Sequence, residues 1–283
     1  MAIRLKKSVF IIILLLAFSS CEKFEMRGFF LSYESANIRF EQSMEWNKDH
    51  PFMEIDIEAE EYTIFAMSDS HSGGTVNLNF FLDEAVAEGA VAALMAGDLT
   101  TGHAEDYRVF KDHLPDPDSL LCFPVVGNHD LYFDGWKQFY SLLGSSTYLF
   151  TVSTPQAADL FICLDTGGGT LGSDQLAWLK DVLQTRRSSY RHCIIFTHNN
   201  LFRIRHTAST NPPVEELRVL TDLCVRHNIN MVLSGHDHKK NEAALGNTVH
   251  ITMDALQDGY KDAGYLVLDI GPDRVAHEFV QLQ

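Results

Sequence analysis

Seven side chains that can bind metal ions follow short apolar runs in this sequence. They belong to compact polar motifs, and the seven are Asp69, His71, Asp98, Asn128, His198, His236 and His238. Carboxylate, amide and imidazole groups supply oxygen and nitrogen ligands, which suit Zn, Fe, Mn, Co or Ni better than Ca. Since structural and catalytic metal sites commonly use three or four protein ligands, seven are too many for one ion and match two.

The apolar runs before these motifs predict the elements that position them. Runs such as 91–96 and 193–197 do not alternate with polar residues, which is typical of strands that are buried on both faces. In open α/β sheets, the binding site lies at the carboxyl ends of the strands. We therefore expect the seven side chains to converge on one edge of one sheet.

Helical patterns alternate with these strands from residue 61 onward. Apolar stripes at helical spacing predict five helices, which begin near Val76, Glu105, Trp136, Ser173 and Pro213. Two consecutive strands are predicted over 147–152 and 159–164, and three further strand-like runs lie in the tail from residue 243. This pattern predicts an α/β fold in which two packed mixed β-sheets are flanked by helices.

The N-terminus has the pattern of an export signal. Basic residues at positions 4, 6 and 7 precede ten apolar residues at 9–18, a run shorter than the roughly 20 residues of a spanning helix. We interpret residues 1–20 as a signal peptide. Ser19-Ser20-Cys21 resembles the lipobox of bacterial lipoproteins, which implies a lipid on Cys21 and anchoring in the cell envelope. An ordinary signal peptide or an uncleaved anchor is the alternative.

Composition limits the organisation and the partners of the exported chain. Residues 21–60 lack strong periodicity, and we interpret them as a lipidated tether and packing segment before one catalytic domain at 61–283. The net charge of −16 repels nucleic-acid backbones and disfavours polymeric nucleic acid as a substrate. No protein partner is implied. Buried free thiols are favoured over a disulfide for the remaining cysteines, which are Cys122, Cys163, Cys193 and Cys224.

Five motifs in order resemble those of the calcineurin-like metallophosphoesterases. They are Asp69-Ser70-His71, Gly97-Asp98, Gly127-Asn128-His129-Asp130, Thr197-His198 and Gly235-His236-Asp237-His238. The resemblance covers about residues 61–283 and implies a four-layer α/β/β/α sandwich. It also implies two metal ions bridged by Asp98. The further ligands would be Asp69, His71 and His238 for the first ion, and Asn128, His198 and His236 for the second.

The resemblance implies a hydrolase of phosphate esters. Two cations about 3.5 to 4 Å apart can neutralise a phosphoryl group, and a hydroxide held between them is the expected nucleophile. His129 is the candidate that protonates the leaving group, and Asp130 is the candidate that orients its ring. The expected substrate is a small-molecule or lipid phosphate ester. We favour a phosphomonoesterase. The open alternatives are a phosphodiesterase, a nucleotidase, a pyrophosphatase or a non-catalytic metal-binding surface lipoprotein.

The sequence departs from the family after the fourth motif. Many relatives continue His-x-Pro, whereas this chain reads His198-Asn199-Asn200. Asn199, Arg203 and Arg205 are the candidates for contacting the substrate here, because an arginine can hold phosphate through a bidentate fork. A solvated loop is the alternative interpretation of the two arginines.

Overall fold

The computed structural model describes residues 34–50, 52–200 and 214–282. The predicted signal peptide, Cys21, Arg203 and Arg205 lie outside the described residues. Within the described ranges, every helix is too short or too polar to cross a membrane.

Helices and strands alternate through most of the chain. The first elements are α1 (Ala36–Asp49), β1 (Met53–Asp56), β2 (Tyr62–Met67), α2 (Val76–Ala87), β3 (Ala92–Ala96), α3 (Ala104–His113) and β4 (Leu121–Val125). The next are a 3₁₀-helix (His129–Asp134), α4 (Trp136–Leu142), β5 (Tyr148–Ser153), β6 (Ala158–Leu164), α5 (Gly172–Thr185) and a short 3₁₀-helix (Arg187–Ser189). The last are β7 (Cys193–Thr197), α6 (Val214–Arg226), β8 (Met231–Ser234), β9 (Asn241–Leu245), β10 (Thr248–Thr252), β11 (Gly264–Ile270) and β12 (Val275–Gln281).

The strands form two mixed sheets. One sheet has five strands in the order β12-β11-β2-β3-β4, and the other has seven in the order β1-β5-β6-β7-β8-β10-β9. Strands β2, β3 and β4 are parallel to one another, and so are β6, β7, β8 and β10. The predicted α/β fold with two mixed sheets flanked by helices is confirmed.

The two sheets pack face to face. Ile64 of β2 and Leu94 of β3 share a core with Phe196 of β7 and Leu233 of β8, so one face of each strand is buried between the sheets. The other face of the five-stranded sheet packs with residues of α2, α3 and α4, and that of the seven-stranded sheet with α5 and α6. Because both of their faces are covered, central strands such as β3, β7 and β8 are buried along their whole length and largely apolar.

The prediction that all ligands lie on one sheet is wrong. The strands β2, β3 and β4 that lead to Asp69, Asp98 and Asn128 belong to the five-stranded sheet, whereas those that lead to His198 and His236 belong to the seven-stranded sheet. An apolar run reveals that both faces of a strand are covered, but a helix and a second sheet leave the same signal. The site therefore lies where the carboxyl edges of two stacked sheets meet.

Strands β1 and β9 are elements that the sequence did not predict. Both lie at the edges of the seven-stranded sheet, and their residues are mostly exposed or half-buried. An edge strand of this kind lacks the apolar alternation by which strands are recognised.

The cysteines within the described ranges are free thiols, as favoured from the sequence. Cys163, Cys193 and Cys224 are buried, and Cys122 is half-buried. Burial raises the pKa of the Cys193 thiol to about 12, so this group stays protonated and unreactive at neutral pH.

Candidate metal centre

The seven predicted ligands lie on five loops, each of which begins where a strand ends. The loops follow β2 (Asp69, His71), β3 (Asp98), β4 (Asn128), β7 (His198) and β8 (His236, His238). All seven are buried. The structure thus brings together at one place groups that are up to 169 positions apart in the sequence.

The backbone is strained at most of these residues. Positive φ angles occur at five of them, namely Asp69 (53°), His71 (42°), Asp98 (49°), His236 (70°) and His238 (54°). Residues other than glycine rarely adopt this left-handed conformation, and it persists only where surrounding contacts enforce it. Here the amides of Asp69 and His71 donate hydrogen bonds to the carbonyls of Gly97 and Asp98, both at 2.9 Å. These hydrogen bonds hold Asp69 and His71 in the left-handed conformation where the loop leaves β2.

One group of ligands consists of Asp69, His71, Asp98 and His238. One potential ligand atom from each lies within 4.8 Å of all the others. The Nε2 atoms of His71 and His238 are 3.2 Å apart, and Asp69 Oδ1 lies 3.0 Å from His238 Nε2. Asp69 Oδ1 is buried and accepts no well-formed hydrogen bond from the residues that the structure describes. Buried lone pairs that face one another in this way fit a shared cation, which satisfies them together.

A second group consists of Asp98, His198 and His236, whose ligand atoms also lie within 4.8 Å of one another. Asn128 belongs with it, because its Oδ1 lies 2.8 Å from His236 Nδ1 and 3.1 Å from His198 Nε2. The Nδ1 of His198 lies 2.9 Å from the Ala96 carbonyl. Since a carbonyl only accepts, Nδ1 carries a proton, and Nε2 is left as the atom that would bind a metal ion after losing its own proton.

Asp98 is the member that both groups share. Its Oδ1 accepts a hydrogen bond from the His129 amide at 2.7 Å. Its Oδ2 lies 3.3 Å from His198 Nε2 and 3.9 Å from His71 Nε2. One carboxylate therefore faces ligands of both groups, which is the arrangement that two neighbouring ions require.

Two motif glycines allow the loops to approach the carboxylates closely. A Cβ atom on Gly127 would lie 2.1 Å from the Asp98 nitrogen and 2.3 Å from Asp98 Oδ1. A Cβ atom on Gly235 would lie 2.4 Å from Asp69 Oδ2. Any larger residue at either position would push a ligand loop out of the centre.

The buried charges shift the protonation of the ligands. Burial alone would raise the pKa of Asp98, but the nearby His198 and His129 outweigh this and hold it well below its usual range. Burial lowers the pKa of His71 to about 4. For His198, burial is outweighed by the carboxylates of Asp98 and Asp69, which raise its pKa to about 9. A metal ion at the second group must therefore displace a proton from His198 at neutral pH.

The metal-stripped protein is expected to lose stability as the pH rises from about 7 to 9. Because the pKa of His198 is raised from 6.5 to about 9, the folded state keeps a proton that the unfolded state releases. This contributes about 3 kcal/mol to the free energy of unfolding below the unfolded pKa, and the contribution disappears as the pH rises through the folded pKa. Urea unfolding of stripped protein at several pH values measures it. A constant free energy of unfolding over this range would contradict the protonated His198.

His129 stands at the rim of the centre. Its ring is half-buried, lies edge-on to the ring of His71 with centroids 4.5 Å apart, and is 4.7 Å from the ring of Tyr132. Its backbone amide is fixed on Asp98. A ring that is fixed next to the ligands and still partly open to solvent can exchange a proton with a bound substrate.

Asp130 has a different place from the predicted one. Its carboxylate accepts hydrogen bonds from the amides of Gly127 (2.9 Å), Leu99 (3.1 Å) and Thr100 (2.8 Å), and from Thr100 Oγ1 (2.9 Å). Within the described ranges, none of its hydrogen bonds reaches the ring of His129. Both of its oxygens are used by the loops after β3 and β4, so Asp130 joins these two loops and does not orient the ring.

The remaining described candidate, Asn199, and one loop that sequence reasoning missed lie beside His198. Asn199 is fully buried, and its backbone amide donates a hydrogen bond to Thr166 Oγ1 at 2.8 Å. Thr166 and Asp165 follow β6 directly, and sequence reasoning did not select them. The rule that selected the other motifs, a polar residue at the end of a buried strand, applies to them equally.

Comparisons with known proteins agree with this geometry. The model of the calcineurin-like phosphoesterase family matches residues 62–240, whereas no curated protein matches the sequence. A dimetal phosphatase from Danio rerio has a similar structure, with 15% identity, a TM-score of 0.59, and coverage of 78% of this chain and 96% of that one.

Two further solved structures share the fold. GAP50, described as the anchor in the inner membrane complex of Plasmodium, has 14% identity and a TM-score of 0.61, and the match covers 79% of this chain and 85% of that one. A phosphatase from Mycoplasma pneumoniae has 11% identity and a TM-score of 0.50, with coverage of 78% and 93%. At such identities the structures show a common fold, and the family match over more than half of the sequence shows the membership. The chain belongs to the calcineurin-like phosphoesterase family.

Proposed function

We propose that the protein is a hydrolase of phosphate esters that depends on two metal ions and prefers monoesters. The observation that carries the proposal is the pair of ligand groups that share the Asp98 carboxylate. A purely structural metal site needs one closed set of ligands, whereas two adjoining sets fit the in-line displacement of a phosphoryl group. The descriptions of the Danio rerio and Mycoplasma pneumoniae neighbours as phosphatases support the monoesterase.

The residues of the chain divide the work. When bound, two cations would supply charge neutralisation for the phosphoryl group and an activated water. Asp69, His71 and His238 would hold the first ion and Asn128, His198 and His236 the second, with Asp98 on both. The His129 ring, which lies edge-on to His71, would donate a proton to the leaving-group oxygen of the substrate.

Panel assays with the metal-loaded protein test this proposal. We expect release of phosphate from nitrophenyl phosphate and nucleoside monophosphates, slower reaction with bis(nitrophenyl) phosphate and pyrophosphate, and loss of all activity after chelation. A higher kcat/KM for the diester than for the monoesters would mean that the protein is a phosphodiesterase. Tight binding of phosphate esters without turnover would favour the non-catalytic alternative, and one neighbour of the same fold is described as an anchor.

We also propose that the protein is exported and anchored in the bacterial envelope through a lipid on Cys21. The basic start, the short apolar run and the Ser19-Ser20-Cys21 sequence support this. In fractionated cells, the wild-type protein should be found with the membranes and Cys21→Ser in the soluble envelope fraction. A lipid phosphate ester would then be within reach as well as a small soluble one. An unchanged distribution of Cys21→Ser would contradict the lipid anchor.

A further inference from the structure

Helix α1 precedes the residues that the family model matches, yet two of its polar side chains are fully buried. These are Arg39 and Ser43. We infer that α1 positions the ligands of the second metal ion and that Arg39 is its principal positioning residue. The inference rests on the two-ion site of the proposed function, but it does not depend on which reaction occurs there.

Arg39 forms a buried ion pair with Asp165. Its Nε lies 2.7 Å from Asp165 Oδ2 and its Nη2 lies 3.0 Å from Asp165 Oδ1, and both side chains are only 2% exposed. The third guanidinium nitrogen, Nη1, donates to the Glu34 carbonyl at 2.9 Å. The desolvation of such a pair offsets most of its attraction, so a buried ion pair is a poor source of net stability. What it supplies here is a fixed geometry for the loop after β6.

That loop contacts the residues next to two ligands of the second group, Asn128 and His198. Asp165 Oδ1 also accepts from the Gly167 amide at 3.0 Å, and a Cβ atom on Gly167 would lie 2.8 Å from the Gly127 carbonyl. Thr166 lies between Asp165 and Gly167. Its Oγ1 is 2.7 Å from Thr197 Oγ1 and accepts a hydrogen bond from the backbone amide of Asn199. The loop therefore packs against the residue before Asn128 and bonds to the residues on both sides of His198.

Two further contacts of α1 lead to the same place. Ser43 Oγ accepts from the Ser146 amide at 3.1 Å, and Ser146 Oγ accepts from the Val126 amide at 2.9 Å, two residues before Asn128. Gln42 Oε1 accepts from Trp136 Nε1 at 2.5 Å, and Trp136 follows the 3₁₀-helix that begins at His129.

The three contacts act on one side of the centre. Through Asp165, Ser146 and Trp136 they lead to the loops that carry Asn128 and His198. In the described part of the chain, neither α1 nor these three intermediates form hydrogen bonds with the loops of Asp69, His71 or His238. Ligand loops that are displaced by a fraction of an ångström bind metal less tightly, and loss of a residue that supports ligands typically costs about 10- to 100-fold in metal affinity. We therefore expect Arg39→Met to lower the affinity for the second ion about 10- to 100-fold and to leave the first ion bound.

The chain offers a matched control in Arg191→Met. Arg191 forms the same bidentate pair with Asp159, with Nε 3.0 Å from Oδ1 and Nη2 2.6 Å from Oδ2. Asp159 lies near the start of β6, and Asp165 directly follows its end. The control removes an equivalent ion pair from the same strand at the edge remote from the metal centre.

The experiment measures metal content by elemental analysis after dialysis against a series of free Zn²⁺ concentrations, with melting temperatures recorded on the same samples. Arg39→Met should fall from two ions per chain to one over the range in which wild type and Arg191→Met keep two. Combined with Asn128→Ala, which itself removes a second-ion ligand, Arg39→Met should cause no further loss. Two ions bound with wild-type affinity by folded Arg39→Met would overturn the inference.

A milder variant covers the case in which Arg39→Met does not fold. Ser43→Ala removes a single hydrogen-bond acceptor. It should also lower the affinity for the second ion, but by a smaller factor than Arg39→Met. Unchanged zinc binding by Ser43→Ala would then overturn the inference. Because zinc content is read without a substrate, an inert protein with these metal-binding losses would disprove the proposed hydrolase and leave the role of α1 standing.

Discussion

Asp98→Asn is expected to cost the protein at least one of its two metal ions and about 10³- to 10⁴-fold in kcat/KM on a phosphate monoester. The change keeps the size of the side chain and leaves Oδ1 able to accept the His129 amide, which it meets at 2.7 Å. It replaces the charge and the lone pairs of Oδ2, the atom 3.3 Å from His198 Nε2. Fold and backbone contacts are thus preserved, and the shared ligand is removed.

The magnitude follows from charge. Cations that neutralise a phosphoryl group supply several kcal/mol of transition-state stabilisation, and each 1.36 kcal/mol corresponds to a factor of about ten in rate. A carboxamide donates hydrogen atoms where the two groups of ligands need an anion. The affinity for a pair of ions therefore decreases together with the rate.

The measurement combines elemental analysis, the rise in melting temperature on adding metal, and kcat/KM. Wild-type protein should be stabilised by its ions through mass action, and Asp98→Asn much less. Asp159→Asn is the control, because Asp159 is also a fully buried carboxylate but pairs with Arg191 away from the centre. Full metal content and a wild-type rate in Asp98→Asn would refute the shared ligand.

Much of this site could be predicted from the sequence because its ligands follow one rule. A buried strand ends, and a residue that binds metal comes within the next few positions, as in β3 and Asp98 or β7 and His198. The chain direction of parallel strands then brings these ends to the same side of a sheet. Strand identity and ligand type are local properties, so they can be read without knowing the tertiary structure.

What could not be predicted depends on contacts between distant segments. The apolar runs of β2 and β7 look alike, although the two strands lie in different sheets. An apolar sequence indicates that a strand is buried, but it does not indicate which sheet or helix covers it. The left-handed φ of Asp98 is enforced by neighbouring loops against the preference of the residue itself. The pairing of Arg39 with Asp165 spans 126 positions, and no periodicity in α1 points to it.

Asp130 illustrates a third reason. Its position directly after His129 suggested a dyad, but the 3₁₀ turn that begins there directs its carboxylate to the amides of Gly127, Leu99 and Thr100. Free backbone amides of a tight turn compete for a buried carboxylate. Sequence adjacency to His129 does not reveal which donor the carboxylate binds.

His129→Ala is expected to lower kcat/KM on an alkyl phosphate by about 10²- to 10⁴-fold, the usual contribution of general acid catalysis. An alkoxide leaves slowly unless it is protonated, and the His129 ring is the half-buried imidazole next to the ligand His71. A nitrophenolate is a stable anion that needs little protonation. The same variant should therefore lose much less activity on nitrophenyl phosphate.

This difference between substrates separates proton transfer from a structural role. The imidazole of His129 is absent from both groups of metal ligands, and its backbone amide on Asp98 is retained in the alanine variant, so two ions should stay bound. His113→Ala, which removes an imidazole from α3, controls for the loss of a histidine elsewhere. Equal losses on the alkyl and nitrophenyl substrates, or loss of a metal ion, would show that His129 supports the geometry of the centre and does not donate the proton.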